Sequence, residues 1–487
     1  MVIVNYSTKT KPNSEHPLFE AARKHPSRPA VRWGDLTLTY SDLYSESKQI
    51  ALGLSQRGIQ QGDLVALGDL PTKEMVISVW ACFLGGFIVF PLNVRFPEFS
   101  LSHLLTSIKP ALIISNSSYP DHNSVAIGEL SNDAGQLDSN DLPPFAANKA
   151  ATLLMTSGSS GDVKFVQHSH HNHLESARGS NKNIELNYSD GWLLSLPLYH
   201  VGGLSILFRA GLTGAAVIIP EEKESLLEEI DKYGVTHISL VATQLQRLLK
   251  DEAGPRILQR MKAILIGGSA IQPLLIQRAL DHNLPIHVSY GSTEMASQIT
   301  TTIGSNRKSA LESSGKVLSG RDLIISHEGE ILTKGETLAQ GYLFNSNLVD
   351  LRDKDGWFHT GDVGYTNVQG ELTITGRMDN QFISGGENVQ PEHIERVLFK
   401  IPGIINAIVV PLPDEEFGAR PIAYLEIDSN APRGEELTHQ LRSQLPGYML
   451  PQAYYELPDE FSKSSLKISR QKLIKLAQSG NIRLHSL

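Results

Sequence analysis

Cysteine is almost absent from the sequence. Cys82 is the only cysteine among 487 residues, which excludes an intrachain disulfide framework and a zinc site built from several cysteines. Positive charge is also in the minority, because 43 lysines and arginines face 52 aspartates and glutamates and leave a formal net charge of -9. This balance argues against a nucleic-acid-binding protein. The hydrophobic share of 40% and the charged share of 20% are typical of a soluble globular protein.

Long apolar segments are scarce as well. Met75–Leu92 spans 18 residues without a formal charge, which is the lower limit for a helix that crosses a membrane. Two glycines and a proline interrupt this segment and favour a buried helix, a turn and a buried strand. The polar N-terminus lacks the apolar core of a signal peptide. We therefore expect a cytoplasmic protein without a membrane span, and a homo-oligomer is compatible with the sequence.

The length of the chain predicts two or more domains. Short apolar segments alternate with helical periodicity through the first half, which predicts parallel strands covered by helices on both faces. Between Gly320 and Thr375 short strands and turns predict a small β subdomain, and the polar Arg377–Asn380 marks a domain boundary. The predicted fold class is α/β, with a large N-terminal domain of parallel-rich sheets and a small α+β C-terminal domain.

Three local features are predicted from turn and capping residues. Gly34 and Asp35 predict the turn of a hairpin between two alternating segments. Ser41 is the predicted N-cap of a helix that ends at Arg57. Residues 116–148 are polar and irregular, and they are predicted to form a surface segment without regular structure.

The segment Thr156–Lys164 reads Thr-Ser-Gly-Ser-Ser-Gly-Asp-Val-Lys and follows the apolar segment Ala151–Met155. Its glycines let backbone N–H groups approach a ligand, its hydroxyls donate hydrogen bonds, and its lysine adds a positive charge. Such a loop suits a polyphosphate, although the lysine does not stand where a Walker A loop has it. On this segment alone, a plain Gly/Ser turn is an equal alternative.

Two further polar loops follow predicted strands. Gly267–Ser269 comes after one apolar segment, and Gly291–Glu294 comes after the next. Ligands of parallel sheets bind beyond the carboxyl ends of the strands. We therefore expect these two loops and Thr156–Lys164 to meet at one ligand.

Five motifs in this order resemble the adenylate-forming superfamily of acyl-CoA synthetases, luciferases and peptide-synthetase adenylation domains. The resemblance extends from about Phe19 to about Leu476 and is carried by Thr156–Lys164, Tyr290–Glu294, His359–Asp362, Gly376–Asp379 and Ser384–Asn388. It implies an enzyme that joins a carboxylate to the α-phosphate of ATP, releases pyrophosphate, and then transfers the acyl group to the thiol of CoA. Positively charged groups must balance the negative charge that develops at the phosphates.

The resemblance assigns ATP, Mg²⁺ and CoA as ligands. The β- and γ-phosphates would be held by Thr156, Ser157, Gly158, Ser159, Ser160, Gly161 and Lys164. The adenine side of ATP would be held by Gly267, Gly268, Ser269, Tyr290, Gly291 and Ser292. For Tyr290, a core aromatic at the end of a strand is the alternative.

Four further residues receive roles around the same nucleotide. Thr293 would donate to the α-phosphate and Glu294 would hold Mg²⁺, which prefers one or two carboxylates together with phosphate oxygens. The alternative for this pair is the first turn of a helix. Asp362 would accept the ribose hydroxyls and Arg377 would support them. A turn aspartate is the alternative for Asp362.

The resemblance also implies a mobile C-terminal domain. Residues 1–376 would bind ATP and the acid, residues 377–380 would form a hinge at Asp379, and residues 381–487 would move between two catalytic poses. Lys467 matches the catalytic lysine of the C-terminal domain, and Lys463 and Lys472 are its competitors. Gly385 and Gly386 resemble the lining of the CoA channel.

The segment Trp192–Gly203 narrows the class of acid. The members of the superfamily that activate amino acids carry an aspartate here, which pairs with the substrate ammonium group. This segment has no carboxylate, and the resemblance makes His200 a candidate for lining an aryl or acyl pocket. A packed core histidine is the alternative. Arg209 would suit a second carboxylate by a bidentate pair, unless it is an ordinary surface arginine. Ser269 and Ser292, with Thr293, would line the same pocket.

Four segments resemble the 2-succinylbenzoate–CoA ligases of menaquinone biosynthesis, whose substrate carries two carboxylates. These segments are Leu194–Gly203, Ser289–Gln298, Gly376–Val397 and Leu466–Leu473. Another aryl or medium-chain acyl-CoA ligase is the first alternative. A non-catalytic nucleotide-binding homologue is the second. Six candidate residues present together argue against it: Lys164, Thr293, Glu294, Asp362, Arg377 and Lys467.

Four histidines lie close together in the sequence, at His168, His170, His171 and His173. Pairs of histidines three residues apart can share one face of a helix and bind a metal. No further ligand accompanies them, so a solvated helix face is predicted instead.

Overall fold

The computed structural model describes residues 15–96, 98–133, 142–157, 163–221, 224–269, 271–304, 307–345, 347–458 and 470–478. Their strands form two large mixed sheets and three smaller ones. The prediction of an α/β fold with a large N-terminal and a small C-terminal part is confirmed.

Six strands at the centre of the nine-stranded sheet are parallel, and antiparallel strands flank them on both sides. In spatial order the strands are Lys316–Val317, Ser297–Thr301, Ile286–Ser292, Ala263–Ile266, His237–Leu240, Gly191–Leu193, Ala216–Ile219, Pro29–Trp33 and Leu36–Thr39. The carboxyl ends of the parallel strands meet at one edge, which is where a ligand of such a sheet binds.

The eight-stranded sheet contains a parallel half and an antiparallel half. In spatial order its strands are Asn347–Val349, Gly341–Phe344, Val163–Ser169, Ala150–Ser157, Ile88–Pro91, Leu64–Leu67, Leu112–Ile114 and Ser124–Val125. The strands on either side of the Gly/Ser loop pair antiparallel, with Thr156 opposite Lys164. The loop therefore closes a β-hairpin.

The small sheets lie in the second half of the chain. A four-stranded sheet of Arg321–Ile325, Glu330–Gly335, Phe358–Thr366 and Leu372–Arg377 forms the predicted β subdomain. After the 3-10 turn Met378–Asn380 come the two-stranded sheet Phe382–Ser384 and Glu387–Val389 and the three-stranded sheet Ile404–Asp414, Gly418–Ile427 and Tyr454–Glu456. The turn coincides with the predicted hinge, and the division of the chain into domains there stays a prediction.

Helices cover the sheets in both parts of the chain. They are Pro17–Lys24, Tyr40–Gln56, Thr72–Gly85, Glu98–Ile108, Ile127–Asp133, His170–Asn183, Val201–Thr213, Leu226–Lys232, Ala242–Lys250, Gly254–Leu258, Pro273–Asp281, Arg307–Glu312, Pro391–Leu398, Gly434–Arg442 and Arg470–Gln478. A second 3-10 turn lies at Gly447–Met449.

The largest core joins helices to strands from both large sheets. Trp80 of Thr72–Gly85 packs on Phe208 of Val201–Thr213, with ring centroids 5.9 Å apart, and both side chains are buried. Replacing such a buried aromatic by alanine costs about 3–5 kcal/mol. Cys82 lies in the same core with no exposed surface, and burial raises the pKa of its thiol. The two sheets therefore form one large unit.

The apolar segment Met75–Leu92 is a buried helix, a glycine turn and a strand, as predicted. The helix Thr72–Gly85 stops at Gly86, whose φ of 71° is favourable for glycine. Ile88–Pro91 then enters the sheet as a strand. Among the residues that the structure describes, no helix is long and apolar enough to cross a membrane.

Two local predictions are wrong. The helix Tyr40–Gln56 is capped by Thr39 rather than by Ser41, because Thr39 and Asp42 form a reciprocal capping box. Residues 116–148 are not wholly irregular, since they contain the short strand Ser124–Val125 and the helix Ile127–Asp133. The hairpin turn at Gly34 and Asp35 is confirmed by the pairing of Pro29–Trp33 with Leu36–Thr39.

The histidine cluster is buried, so the prediction of a solvated helix face is wrong. His168, His170 and His173 are 0%, 3% and 1% exposed. His168 lies on a strand, and His170 opens the following helix, whose first turn packs into the core between the sheets. Of the four, only His171 reaches the surface, where its Nε2 lies 2.7 Å from Glu336.

Candidate active site

A hairpin at the end of the parallel strands organises the candidate site. Tyr290 lies near the end of Ile286–Ser292, which pairs antiparallel with Ser297–Thr301. The strands approach so closely that a Cβ on Gly291 would lie 2.0 Å from the carbonyl oxygen of Ser297. Only glycine fits at this position. The loop with Gly267, Gly268 and Ser269 follows the neighbouring parallel strand, so two of the three predicted loops lie at one sheet edge.

Asp362 is the centre of a hydrogen-bonded cluster beside this hairpin. The hydroxyl of Tyr290 donates to Asp362 Oδ2 over 2.6 Å, and Nη1 of Arg377 donates to Oδ1 over 2.7 Å. Asp362 and Arg377 are opposite each other on paired strands of the β subdomain. Burial and the neighbouring carboxylate raise the pKa of Tyr290 well above its usual value. The tyrosine is therefore a neutral donor, and its hydroxyl is committed to the carboxylate.

The part of the strand Phe358–Thr366 that precedes Asp362 is fixed by its own contacts. Gly361 has a φ of 69°, and a Cβ there would lie 2.8 Å from Nη2 of Arg377. The N–H of Gly361 donates to Glu330 over 3.0 Å. His359 also pairs with Glu330, at 2.8 Å. These contacts hold the backbone of the motif independently of any ligand.

Arg377 connects this cluster to the predicted hinge. Its Nη2 donates to Asp379 over 3.0 Å, while its backbone carbonyl accepts a hydrogen bond of 2.9 Å from Gln390. Asp362 and Asp379 raise the pKa of the guanidinium against the opposing effect of burial. Arg377 therefore contacts both Asp362, the candidate ribose-binding residue, and Asp379, the predicted hinge residue.

Glu294 and Lys164 meet at Tyr342. The hydroxyl of Tyr342 donates to Glu294 Oε1 over 2.8 Å, and Nζ of Lys164 lies 5.1 Å from the centre of the same ring. Tyr342 belongs to the strand Gly341–Phe344, which pairs with Val163–Ser169. The hairpin of Ala150–Ser157 and Val163–Ser169 carries the candidate phosphate-binding residues and is called the phosphate hairpin below. Burial and the carboxylate raise the pKa of Tyr342. The candidate metal ligand and the candidate phosphate-binding lysine thus belong to one cluster.

Thr293 and Glu294 lie in the turn between the strands Ile286–Ser292 and Ser297–Thr301. They do not begin a helix, so the alternative of a first helical turn is wrong. Thr156 is on the strand Ala150–Ser157 and faces Lys164 across the phosphate hairpin. The tip of that hairpin, with Gly158, Ser159, Ser160 and Gly161, lies outside the described residues, as does Lys467.

Arg209 is completely buried, so the surface alternative is wrong. It is 1% exposed, and its guanidinium lies 4.9 Å from the centre of the Trp192 ring. Its Nη2 donates to Ser297 Oγ over 3.2 Å and to Gln298 Oε1 over 3.0 Å. Its Nε and Nη1 have no hydrogen-bond partner among the described residues. Burial lowers its pKa to about 9, which leaves a charged donor with hydrogen-bonding capacity in the interior.

The other candidate acid-binding residues are Ser292, His200 and Ser269. Ser292 is directly opposite Ser297, and its hydroxyl is buried without a partner in the described part of the chain. His200 precedes the helix Val201–Thr213 and is exposed, with its ring 4.7 Å from that of Tyr199. The alternative of a packed core histidine is therefore wrong. Ser269 is exposed at the neighbouring strand end.

Gly385 and Gly386 lie apart from these clusters. They form the turn between Phe382–Ser384 and Glu387–Val389, with φ values of 61° and 84°. Of the competitors for the catalytic lysine, Lys472 lies on the helix Arg470–Gln478, while Lys463 is outside the described residues.

The sequence did not single out Tyr342, Ser297 or Gln298, although each contacts a candidate site residue. Tyr342 and Glu294 are 48 positions apart, and Gln298 and Arg209 are 89 positions apart. No local pattern connects residues at such separations. The β-branched residues Ile299, Thr300 and Thr301 favour a strand without indicating its partner.

The sequence matches a known protein family and curated relatives over most of its length. The family described as AMP-binding enzyme matches residues 18–343, and its C-terminal domain matches residues 393–466. The 2-succinylbenzoate–CoA ligase of Escherichia coli (strain K12) is 33% identical over 444 residues, which are 91% of this chain and 94% of that protein. The enzyme of the same name from Bacillus subtilis (strain 168) is 31% identical over 96% of this chain and 98% of its own length.

Solved structures show the same fold. O-succinylbenzoate coenzyme A synthetase from Bacillus subtilis, in complex with ATP and a magnesium ion, has a TM-score of 0.84 at 30% identity and covers 94% of this chain and 99% of its own. The wild-type E. coli enzyme with a bound phenylether-linked analogue of OSB-AMS has a TM-score of 0.80 at 31% identity, with coverages of 96% and 99%. Both the family match and these relatives extend over most of the sequence, and the chain belongs to the family of AMP-binding enzymes.

Proposed function

We propose that the protein is an ATP-dependent acid–CoA ligase that activates 2-succinylbenzoate as an acyl-adenylate and transfers it to CoA, in the cytoplasm and for menaquinone biosynthesis. The observation that carries the choice of acid is the buried Arg209, whose Nε and Nη1 have no partner among the described residues. Each of these N–H groups can donate a charge-assisted hydrogen bond to a carboxylate oxygen. A substrate with a second carboxylate supplies such acceptors, whereas a simple aryl or acyl acid supplies none.

The nucleotide is proposed to lie along the hairpin between the two clusters. Asp362, oriented by Tyr290 and Arg377, accepts the ribose hydroxyls. Thr293 donates to the α-phosphate, and Lys164 with the hydroxyls of the phosphate hairpin binds the outer phosphates. These groups place the α-phosphate in line with the incoming carboxylate and reduce the repulsion between the two anions.

The residues present fit Mg²⁺ bound chiefly through phosphate oxygens. No group of three or more metal-binding side chains occurs in the described ranges, and Glu294 supplies the single carboxylate that such a site requires. Mg²⁺ would neutralise charge on the phosphates during adenylate formation. Tyr342 holds the Glu294 carboxylate by a hydrogen bond of 2.8 Å, so the chain orients this ligand in advance.

Roles in both half-reactions are assigned to the C-terminal part. Lys467 is proposed as the lysine of the adenylation step, the hinge at Asp379 as the point of rotation, and Gly385 and Gly386 as contacts for CoA. A homo-oligomer stays a prediction.

A pyrophosphate-release assay with a panel of acids tests the proposal. With Mg²⁺ and ATP, 2-succinylbenzoate should give rapid release, and CoA should convert the adenylate to the thioester. Benzoate and a medium-chain fatty acid should be poor substrates, and EDTA should stop the reaction. Equal rates with benzoate or the fatty acid would favour another acyl-CoA ligase. No pyrophosphate with any acid would indicate a non-catalytic homologue.

A further inference from the structure

The buried histidines, which have no assigned role, are connected to the turn that carries Thr293 and Glu294. Nε2 of His168 lies 2.7 Å from the backbone carbonyl oxygen of Thr293. On the other side of the ring, Nδ1 of His168 is 3.3 Å from Thr152 Oγ1. The same hydroxyl lies 2.8 Å from Nε2 of His173. Three buried side chains therefore form a continuous path to the turn.

Only one arrangement of protons fits these contacts. A carbonyl oxygen only accepts, so His168 must carry its proton on Nε2. Burial lowers the pKa of His168 to about 4, so the ring is neutral and its Nδ1 is an acceptor. Thr152 then donates its hydroxyl proton to His168 and accepts from the Nε2–H of His173. Each donor in the path points towards Thr293.

The path lies on elements that also carry parts of the candidate site. Thr152 and His168 are opposite each other on Ala150–Ser157 and Val163–Ser169, the two strands of the phosphate hairpin. His173 stacks on Phe208 with ring centroids 4.6 Å apart and an angle of 9° between the planes. Phe208 directly precedes Arg209 in its helix. The path therefore connects the phosphate hairpin to the Thr293–Glu294 turn across the core.

The turn itself requires external support. Ala296 and Ser297 have φ values of 51° and 112°, a region that costs a non-glycine residue about 1–3 kcal/mol and persists only where the surroundings impose it. The carbonyl of Ala296 accepts from Ser176 over 2.6 Å, and that of Glu294 accepts from the N–H of Ala339 over 2.8 Å. His168 supplies the corresponding contact at Thr293.

We propose that His168, Thr152 and His173 form a positioning relay, which fixes the Thr293–Glu294 turn relative to the phosphate hairpin and so sets the affinity for Mg²⁺-bound ATP. This inference rests on the proposed function of the turn. The relay touches neither ATP nor the acid, and it acts through the backbone of Thr293. It therefore predicts a loss that is specific for the nucleotide.

Replacing His168 tests the relay in the full-length enzyme by pyrophosphate exchange. His168→Leu removes the donor and should raise the KM for MgATP by about fivefold or more, the value of one internal hydrogen bond, with the KM for 2-succinylbenzoate changed less than about twofold. His168→Gln places an amide N–H within reach of the same carbonyl and should recover most of the loss. His171→Leu, in the helix that follows the strand of His168, changes a side chain that contacts Glu336 instead. It is the matched control and should leave both constants unchanged.

Weaker variants extend the test to the rest of the path. Thr152→Val keeps the shape of the side chain and removes the hydroxyl, and it should raise the KM for MgATP less than His168→Leu does. If His168→Leu does not fold, Thr152→Val takes its place. An unchanged KM for MgATP in the folded variant, or parallel increases in both KM values, would overturn the relay. A wild-type enzyme that shows no pyrophosphate exchange with any of the acids tested would instead contradict the proposed function.

Discussion

The nucleotide side and the acid side of the candidate site differ in how their charged groups are paired. On the nucleotide side, Asp362 is held by Tyr290 and Arg377, and Glu294 is held by Tyr342. On the acid side, two nitrogens of the buried Arg209 lack a partner within the described residues. The first region is therefore oriented by its own contacts, and the second still has hydrogen bonds to form.

This difference indicates where selectivity resides. A ligand on the nucleotide side meets carboxylates that are already hydrogen-bonded, so each new contact adds a moderate amount of affinity. A ligand on the acid side supplies partners to a desolvated cation. Sites that require a substrate hydrogen bond reject analogues without it by about 10⁴–10⁵. We therefore expect the protein to discriminate strongly among acids through Arg209.

The largest effect is expected from Arg209→Met. Truncating one partner of a buried, hydrogen-bonded charge pair costs about 2–5 kcal/mol, so kcat/KM for 2-succinylbenzoate should fall by at least about 30-fold. Benzoate, which has no second carboxylate, should lose less than about threefold. Arg209→Lys keeps the charge without the planar fork and should give an intermediate result. Equal losses of kcat/KM for both acids would contradict the assignment of Arg209 to the acid-binding pocket.

Asp362→Asn should have the next largest effect, and on the other substrate. It removes the charge that binds Arg377 and is proposed to bind the ribose, and a hydrogen bond to a charged group is worth about 1.5–3 kcal/mol. The KM for ATP should rise about 10- to 100-fold, while the KM for the acid stays within about twofold. Steady-state kinetics with each substrate varied in turn measures both. A comparable rise in the KM for the acid would show that the two regions are not independent.

Tyr290→Phe should give a smaller loss of the same kind. It keeps the ring and removes the hydroxyl that orients Asp362, a neutral donor worth about 0.5–1.5 kcal/mol. The KM for ATP should rise about two- to tenfold. Tyr365→Phe is the matched control, because Tyr365 lies on the same strand as Asp362 but is 54% exposed. An unchanged KM in Tyr290→Phe would mean that Arg377 alone orients the carboxylate.

The smallest effect is a pH dependence at His359. Its contacts with Glu330 and Asp353 raise its pKa above the usual value. A raised pKa in the folded state adds stability that is complete below about pH 6.5 and is lost as the pH rises through the raised pKa. The wild type should therefore melt higher than His359→Gln at about pH 5.5, by no more than about 2 °C because the pair is exposed. The difference should vanish near pH 8.5, to within about 0.5 °C; a difference that grows with pH would contradict the pairing.

Much of the fold was predictable because its patterns are local. Parallel strands such as His237–Leu240 and Ala263–Ile266 are short apolar segments between helices, and this local pattern predicts them. The helix cap was less predictable. Thr39 and Ser41 both suit an N-cap by residue type, and only the reciprocal contact with Asp42 decides in favour of Thr39.

The environment of the candidate site was less predictable, because it depends on contacts between distant segments. The histidines were expected on a solvated helix, but the hairpin at Lys164 turns this segment into the core, where His168 and His173 are neutral and paired. The charge of Arg209 was visible in the sequence, whereas its burial depends on the packing of its helix against Ser297 and Trp192.

The buried thiol of Cys82 has a practical consequence for studying the proposed domain rotation. With no exposed surface and a raised pKa, this thiol is shielded from maleimide reagents in the native enzyme. A cysteine introduced at Glu328 of the β subdomain and another at Glu456 of the C-terminal part could therefore carry a fluorophore pair without first removing a native thiol. Energy transfer between the two dyes would then follow the small domain through each half-reaction.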